Sequence, residues 1–390
     1  MKYDFTTHLD RTGTGAIKID LAPEPVKGSG LVPLTIADME FAVAPDIREA
    51  IKTAADRGIY GYTYADGEYK SAVRSWMKRR HGFDADQHKL IVTSGVVPAL
   101  RYAAMAFTSP DDKILIQPPV YMMFKNAIET SGRQFVENPL INNNGRYQID
   151  FDDFERKASM QDVKLFFLCS PHNPVGRVWT KDELMRLGEI CKRTGVVVVA
   201  DEIHNDLLLN GVEHTVFATL PGMDDITVTC TAVSKTFNLA GLSCSNIFIR
   251  NEELADRFHE VAERAGTGLV PYFARAATIA AYTKCEDWLD ELNRTVAANF
   301  DYLCSYIEAE LPWINVTRAE GTYLAWLDMR SLNLDDKTLE DLMIKNGLAL
   351  DEGYLFGTGG SGFERWNLAL PLDILKLALT KLKNAVDSVR

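Results

Sequence analysis

The chain has 390 residues, 46% hydrophobic and 25% charged, the balance of a globular protein that faces water. Its length exceeds one ordinary core and predicts two domains. Its 42 basic and 54 acidic side chains leave a formal charge of −12 with no basic stripe or charged tail, which argues against nucleic acid and anionic membrane as partners. No window is apolar for long enough to span a bilayer, and the opening Met-Lys-Tyr-Asp-Phe-Thr-Thr-His lacks a signal core. Cys169, Cys191, Cys230, Cys244, Cys285 and Cys304 form no CxxC pair. They read as free buried thiols of a cytoplasmic protein, with neither a disulfide framework nor a metal site.

The N-terminal stretch to about Ala44 is rich in Gly and Pro and has no long periodic element. The middle of the chain then alternates short apolar runs with helical patterns. Strands are predicted at Leu90–Thr93, Lys113–Gln117, Leu165–Cys169, Val196–Ala200, Ile226–Thr231 and Ser245–Ile249. Several are apolar throughout, as parallel strands covered on both faces are. Helices are predicted at Val97–Phe107, Tyr121–Ser131, Lys181–Arg193 and Glu253–Ala265. The β-α-β-α order predicts an α/β fold with a doubly wound, mainly parallel sheet and right-handed crossovers. From Trp288 the character changes: one long helix over Trp288–Leu311, a strand at Tyr323–Leu327, a helix at Leu339–Asn346 and a last helix near Leu372–Val389. This predicts a large domain over 45–287. A smaller α+β domain is expected over 288–390, with residues 1–44 wrapping onto it.

The most informative residue is Lys235, in Cys230-Thr-Ala-Val-Ser-Lys-Thr-Phe-Asn-Leu-Ala-Gly241. A lysine just past the carboxyl end of a buried strand can be partly desolvated, which lowers its pKa and makes the amine nucleophilic. A surface lysine opening a turn would look the same in isolation. Four other strand ends decide between the two. In Thr93-Ser-Gly-Val-Val-Pro-Ala-Leu100, a glycine turn opens a helix whose free N–H groups, around Gly95, Val96 and Val97, can hold a phosphate. Tyr121, after Gln117-Pro-Pro-Val, can lay its ring on a flat heterocycle or simply pack. In Cys169-Ser-Pro-His-Asn-Pro-Val-Gly176, prolines on both sides of Asn173 predict a rigid extended loop that aims the amide. Asp201 ends a run of four valines and an alanine, a costly place for a carboxylate unless it meets a cation or a donor. A helix cap or an internal salt bridge would also satisfy it. Together, a lysine, an acidic partner, an amide, a stacking ring and an anion-binding helix start describe a pyridoxal 5'-phosphate site.

These residues resemble those of the fold-type I pyridoxal-phosphate enzymes, in the aminotransferase class I/II superfamily. The resemblance covers nearly the whole chain, and it is strongest to the carbon–sulfur lyase branch, cystathionine β-lyases of the MalY/PatB type. The segments that carry it are Asp10-Arg-Thr-Gly-Thr14, Ala37-Asp-Met-Glu-Phe41, Tyr60-Gly-Tyr62, Ser94-Gly-Val-Val-Pro-Ala-Leu100, Ser170-Pro-His-Asn-Pro-Val-Gly-Arg-Val-Trp179 and Asp201-Glu-Ile-His-Asn-Asp206.

The resemblance implies Lys235 as Schiff-base lysine and general base, and Asp201 as partner of the pyridine nitrogen. It implies Asn173 on the phenolate oxygen, Tyr121 stacked on the ring, and Gly95, Val96, Val97 and Ser234 by the phosphate. Tyr62 would reach a phosphate in a neighbouring subunit, so a homodimer with shared sites is expected. Arg365, in Gly362-Phe-Glu-Arg-Trp-Asn-Leu-Ala-Leu370, would grip the substrate α-carboxylate with its planar fork. Lys235 or Tyr121 would give the leaving thiolate its proton.

Four positions depart from the superfamily pattern. His204, expected by the cofactor, replaces the tyrosine usual in aminotransferases, and Ser243 replaces a phosphate-binding arginine. Ala232 stands where serine is common, and Glu40 where this branch often has aspartate. His204 is typical of the lyase branch, and the serine at 243 is compatible with it. The expected reaction is α,β-elimination from cystathionine or a related cysteine S-conjugate, giving a thiol, pyruvate and ammonia. An aminotransferase, and a regulatory protein-binding role on the same fold, are the alternatives. No DNA-binding segment precedes the fold, which disfavours a direct regulator.

Overall fold

The computed structural model describes residues 2–23 and 32–390; part of the Gly- and Pro-rich N-terminal stretch lies outside the described residues. Helices α1 (Pro45–Asp56) and α2 (Gly67–His81) lead into the main sheet. Its strands are β1 (Lys89–Thr93), β2 (Lys113–Ile116), β3 (Gln134–Glu137), β4 (Val163–Cys169), β5 (Val197–Asp201), β6 (Thr227–Thr231) and β7 (Ser245–Ile249). They lie in the order β1-β7-β6-β5-β4-β2-β3. The pairs β3–β2, β2–β4, β4–β5 and β5–β6 are parallel, whereas β7 runs antiparallel to both β6 and β1.

All six expected strands form within two residues of their expected ends. The antiparallel hand of β7 was not expected. Its sequence, Ser-Asn-Ile-Phe-Ile, is buried throughout and carries no signal of direction. The edge strand β3 was missed; none of its residues is fully buried, so it lacks the apolar run that marks the others.

Helices cover both faces. On one side α3 (Val96–Phe107) packs against α4 (Met123–Thr130) and α8 (Glu252–Arg264), around Leu100, Phe124 and Phe258. On the other, α5 (Phe151–Ala158) and α6 (Lys181–Thr194) pack around Phe154, Phe166 and Leu187. Helix α6 shows why the sequence stops and starts where it does. A capping box joins Thr180 and Glu183 at its start, and Gly195 at φ 74° ends it. Between β6 and β7 lies a single helical turn, α7 (Val233–Thr236).

Helices α9 (Tyr272–Lys284) and α10 (Glu286–Glu310) follow, then a four-stranded antiparallel sheet. Its strands are β8 (Asn315–Val316), β9 (Leu324–Asp328), β10 (Asp351–Glu352) and β11 (Phe363–Asn367), in the order β8-β9-β11-β10, with α11 (Asp336–Lys345) and α12 (Leu372–Asp387) alongside. Helices α1, α2, α5 and α9 and the single turn α7 escaped the sequence reading. Val32–Pro33 pairs in parallel with Leu348–Ala349, and Phe5 packs on Phe41 and Trp288. The N-terminal segment is thereby stitched to the C-terminal part of the chain.

Gly353, directly after β10, has no room for a side chain: a Cβ there would run into the carbonyl oxygens of Gly360 and Phe363. Neither is a flexible side-chain end that can swing away. Gly353→Ala is expected to destabilise the cofactor-free protein by about 3 kcal/mol. The measurement is the urea midpoint; an unchanged midpoint would mean that the loop yields freely.

Candidate active site

The chemistry-bearing residues gather where β1, β4, β5 and β6 end. Past β6, Ala232 is extended and α7 turns at once, which places Lys235 at the sheet edge. Lys235 is partly buried and its Nζ donates to Ala37 O at 2.7 Å. Burial, aided by the positive charge of Arg365, pushes its pKa down to about 8. The amine is therefore neutral and nucleophilic far more often near neutral pH than an ordinary lysine, at about a tenth of molecules at pH 7.

Asp201 is the last residue of β5, 5% exposed, and accepts the backbone N–H of Ile203 at 3.1 Å. Burial raises its carboxyl to about 7, against the opposing pull of the Ile203 N–H and Lys235. It is neither a helix cap nor half of a salt bridge, and a cation placed beside it would restore its charge. His204, three residues on, is buried and held well below the usual imidazole range by burial and by the charges of Lys235 and Arg365. It is a neutral ring, edge-on to Tyr323 at 6.0 Å, and its Nδ1 has no partner among the described residues.

The loop after β4 differs from the expected extended form. It is a tight turn in which His172 N–H donates to Arg177 O and Gly176 N–H to His172 O, both at 2.8 Å. Ser170–Pro171 and Asn173–Pro174 are cis. The turn holds Asn173 by its backbone: its carbonyl accepts from Tyr121 N–H at 3.0 Å, and its N–H points at Cys169 Sγ, 3.4 Å away. Tyr121 is thereby tied to Asn173, and burial raises its phenol above the ordinary range.

Gly95 has φ 152° and ψ 166°, a region that only glycine visits readily. It turns the chain from β1 into α3, where the first intrahelical bond runs from Ala99 N–H to Gly95 O. The N–H groups of Val96 and Val97 are left without helical acceptors. Pro98 has no N–H to add.

Gly95, Val96, Val97, Tyr121, Asn173, Asp201, His204, Ser234 and Lys235 all line one cavity of about 170 Å³, with Ser243 on the same wall. Lys235 is the only lysine or arginine on that wall among the described residues. Arg365 stands one bond behind it. It lies within β11, 2% exposed, with Nη1 donating to Asn173 Oδ1 at 3.0 Å and Nη2 to Asp351 Oδ2 at 2.5 Å. Tyr62 is not brought to the cavity of its own chain and is 95% exposed.

Sequence reasoning missed three contributors. Ala37 acts through its carbonyl, which no residue type reveals. Tyr323 bonds that same carbonyl at 2.8 Å from what reads as an ordinary core tyrosine. Asp351 sits on a two-residue strand too short to show a pattern. Glu40, the mild departure, is buried and pairs with Arg11 and Lys18, each at 3.0 Å; it holds the segment that carries Ala37.

The model of the aminotransferase class I and II family matches residues 29–382. Cystathionine beta-lyase PatB of Bacillus subtilis (strain 168) is 41% identical over 386 residues, covering 98% of this chain and 100% of that protein. The crystal structure of cystalysin from Treponema denticola, which contains pyridoxal 5'-phosphate, superposes with a TM-score of 0.96 at 39% identity and covers 100% of both chains. A pyridoxal-phosphate-bound C-S lyase from Staphylococcus hominis superposes with a TM-score of 0.92 at 36% identity, over 99% of this chain and 98% of that one. The chain belongs to the aminotransferase class I and II family of fold-type I enzymes, in its PatB-type carbon–sulfur lyase branch.

Proposed function

We propose that the protein is a pyridoxal 5'-phosphate-dependent carbon–sulfur β-lyase. It cleaves cystathionine or related cysteine S-conjugates to a thiol, pyruvate and ammonia, with homocysteine as the thiol from cystathionine. The observation that carries this reading is the meeting of Lys235, Asp201 and Asn173 in one cavity, in a chain whose relatives are lyases of this kind. The donor set fits the cofactor. An amine of lowered pKa can bond its aldehyde carbon. A carboxyl with no cation of its own can partner a protonated ring nitrogen, and the Asn173 amide can meet the ring oxygen. The start of α3, with Ser234 nearby, offers N–H and O–H donors to a phosphate.

When bound, the cofactor supplies an electron sink for the charge left at the substrate α-carbon. The chain's residues do the rest. Arg365 binds the α-carboxylate and sets the substrate's direction. Lys235, as neutral amine, takes the α-proton; the ammonium so formed holds the proton that the departing thiolate needs. Tyr121, kept protonated by burial, covers the ring and is a second proton source on the same wall. His204 and Ser243 occupy positions where an aminotransferase would present tyrosine and arginine, and they favour elimination over amino transfer. Tyr62, exposed in the single chain, reaches the site of a second copy, so the working unit is a homodimer. The large unit spans 45–287 and the small one 1–44 with 288–390. Among the described residues no helix is long and apolar enough to cross a membrane. All six cysteines are free and five are buried, which suits a reducing, cytoplasmic setting.

Purified holoenzyme given cystathionine, cysteine or S-alkyl-cysteines is expected to release pyruvate and ammonia in equal amounts. A keto acid with the amino group left on the cofactor would instead mark an aminotransferase. Lys235→Ala should abolish release, and turnover near the wild-type rate would sink the assignment. Sedimentation velocity should give twice the 43.6 kDa chain mass; a monomer at working concentration would exclude the shared site.

Asp201 also makes a stability prediction for the cofactor-free protein. Its folded pKa, about 7, lies above that of an unfolded aspartate, so the folded state binds the proton more tightly. Stability is therefore lost as pH rises from about 4 to about 7, by roughly 4 kcal/mol in all, at about 1.4 kcal/mol per pH unit. Asp201→Asn removes that loss. The variant should melt higher than wild type at pH 8, with the advantage shrinking toward pH 4. A pH-independent difference would contradict the raised pKa.

A further inference from the structure

A second carboxylate ties the arginine of this site to the backbone that holds the lysine. Asp351 stands directly opposite Arg365 in the β10–β11 pairing. Its Oδ2 accepts from Arg365 Nη2 at 2.5 Å and, on the same oxygen, from the backbone N–H of Ile36 at 2.9 Å. Ile36 is unusual: its φ is +50°, a left-handed conformation that a β-branched residue adopts only when its surroundings impose it. Those surroundings are few and identifiable. Asn367, two residues beyond Arg365 on β11, donates from Nδ2 to Ile36 O at 2.8 Å and to Asp38 O at 2.6 Å. Asp351 takes the Ile36 N–H. The next residue, Ala37, lines the cavity, and its carbonyl accepts from Lys235 Nζ at 2.7 Å and from Tyr323 OH at 2.8 Å.

We propose that Asp351 is a positioning residue for the lyase reaction, acting on Arg365 and Lys235 together. As counter-ion it fixes the guanidinium while leaving other N–H groups for an incoming carboxylate. As acceptor it latches Ile36 in its left-handed turn, which sets the Ala37 carbonyl against the amine. An amine that donates one hydrogen to Ala37 O has its lone pair held in a defined direction, ready for the α-proton. Strand β11 and its partner β10 thus carry both the carboxylate-binding arginine and the clamp on the base. The chemical part of this inference rests on the lyase reading; the latch itself does not.

Two variants separate the two duties. Asp351→Asn keeps an acceptor for Ile36 N–H and removes the charge beside Arg365, whereas Asp351→Ala removes both. The readouts are steady-state pyruvate release from cystathionine by holoenzyme, and hydrogen–deuterium exchange of the peptide spanning Ile36–Asp38. Loss of one charge-assisted interaction should raise KM about tenfold in both variants. In Asp351→Asn, kcat should stay within about twofold and exchange should be unchanged. In Asp351→Ala, kcat should fall about tenfold and exchange should speed up about tenfold, as expected for one lost hydrogen bond. Wild-type KM in both variants, equal kcat losses in both, or unchanged exchange in Asp351→Ala would each overturn the proposal. If wild-type holoenzyme released no pyruvate, the lyase reading would fall, and the exchange comparison would still decide the latch.

Discussion

The site depends on keeping an amine and a carboxyl out of water at the ends of neighbouring strands. β5 and β6 are parallel and in register, Asp201 opposite Cys230, and β6 is buried along its whole length. Parallel strands require helices on both faces, so the residues just past their ends emerge into a low-dielectric crevice rather than into solvent. There the same burial acts in opposite senses on the two groups. It pushes the lysine amine down toward its neutral form and the aspartate up toward its neutral form. Without a ligand each group is thus moved toward neutral pH, the lysine to about 8 and the aspartate to about 7. A ligand that brings a cationic ring nitrogen to Asp201 and a carbonyl carbon to Lys235 answers both penalties at once.

The second part of the chain acts on this crevice from behind. Arg365 and Asn367 sit on one strand of the small sheet and reach two different targets: Arg365 meets Asn173 of the large sheet, and Asn367 meets the backbone at Ile36 and Asp38. The segment from Ile36 to Glu40 is in turn held from the N-terminal side, where Arg11 and Lys18 pair with Asp38 and Glu40. Asn238, three residues past the lysine, closes the ring by bonding both N–H and C=O of Met39. Three stretches far apart in sequence, around Arg11–Lys18, Asn238 and Asn367, therefore fix the segment that carries one backbone carbonyl.

What could be read from the sequence follows from this division. Strand ends in the large sheet carry their chemistry in side chains at the end of apolar runs, so Asp201, Asn173, Gly95 and Lys235 were visible as types in context. Helices α1, α2, α5 and α9 were not visible: α2 and α9 have weak amphipathic contrast, because basic residues crowd α2 and alanines fill α9, and α5 spans only eight residues. The direction of β7 was hidden because a fully buried strand has the same composition whichever way it runs. Asp351 was hidden because its strand has two residues and its role depends on pairing with Arg365 fourteen positions later. Ala37 could not be found by residue type at all, since its contribution is a carbonyl. Only a family pattern, Ala37-Asp-Met-Glu-Phe41, pointed to that stretch, and it did not say why.

The distribution of positive charge then explains how the site can distinguish two anions. Ser243 and Ser234 line the cavity, and Lys235 is the only lysine or arginine there among the described residues, so the start of α3 offers an anion backbone N–H donors, hydroxyls and the helix dipole rather than a guanidinium. Such donors are fixed in direction and short in range, and they suit a group that stays in place from one turnover to the next. The guanidinium of Arg365 lies behind Asn173 on the small sheet, already partnered by Asp351. It is a buried cation, where an ion pair gains most; Nη1 and Nη2 each already donate one hydrogen bond, and Nε has no partner among the described residues.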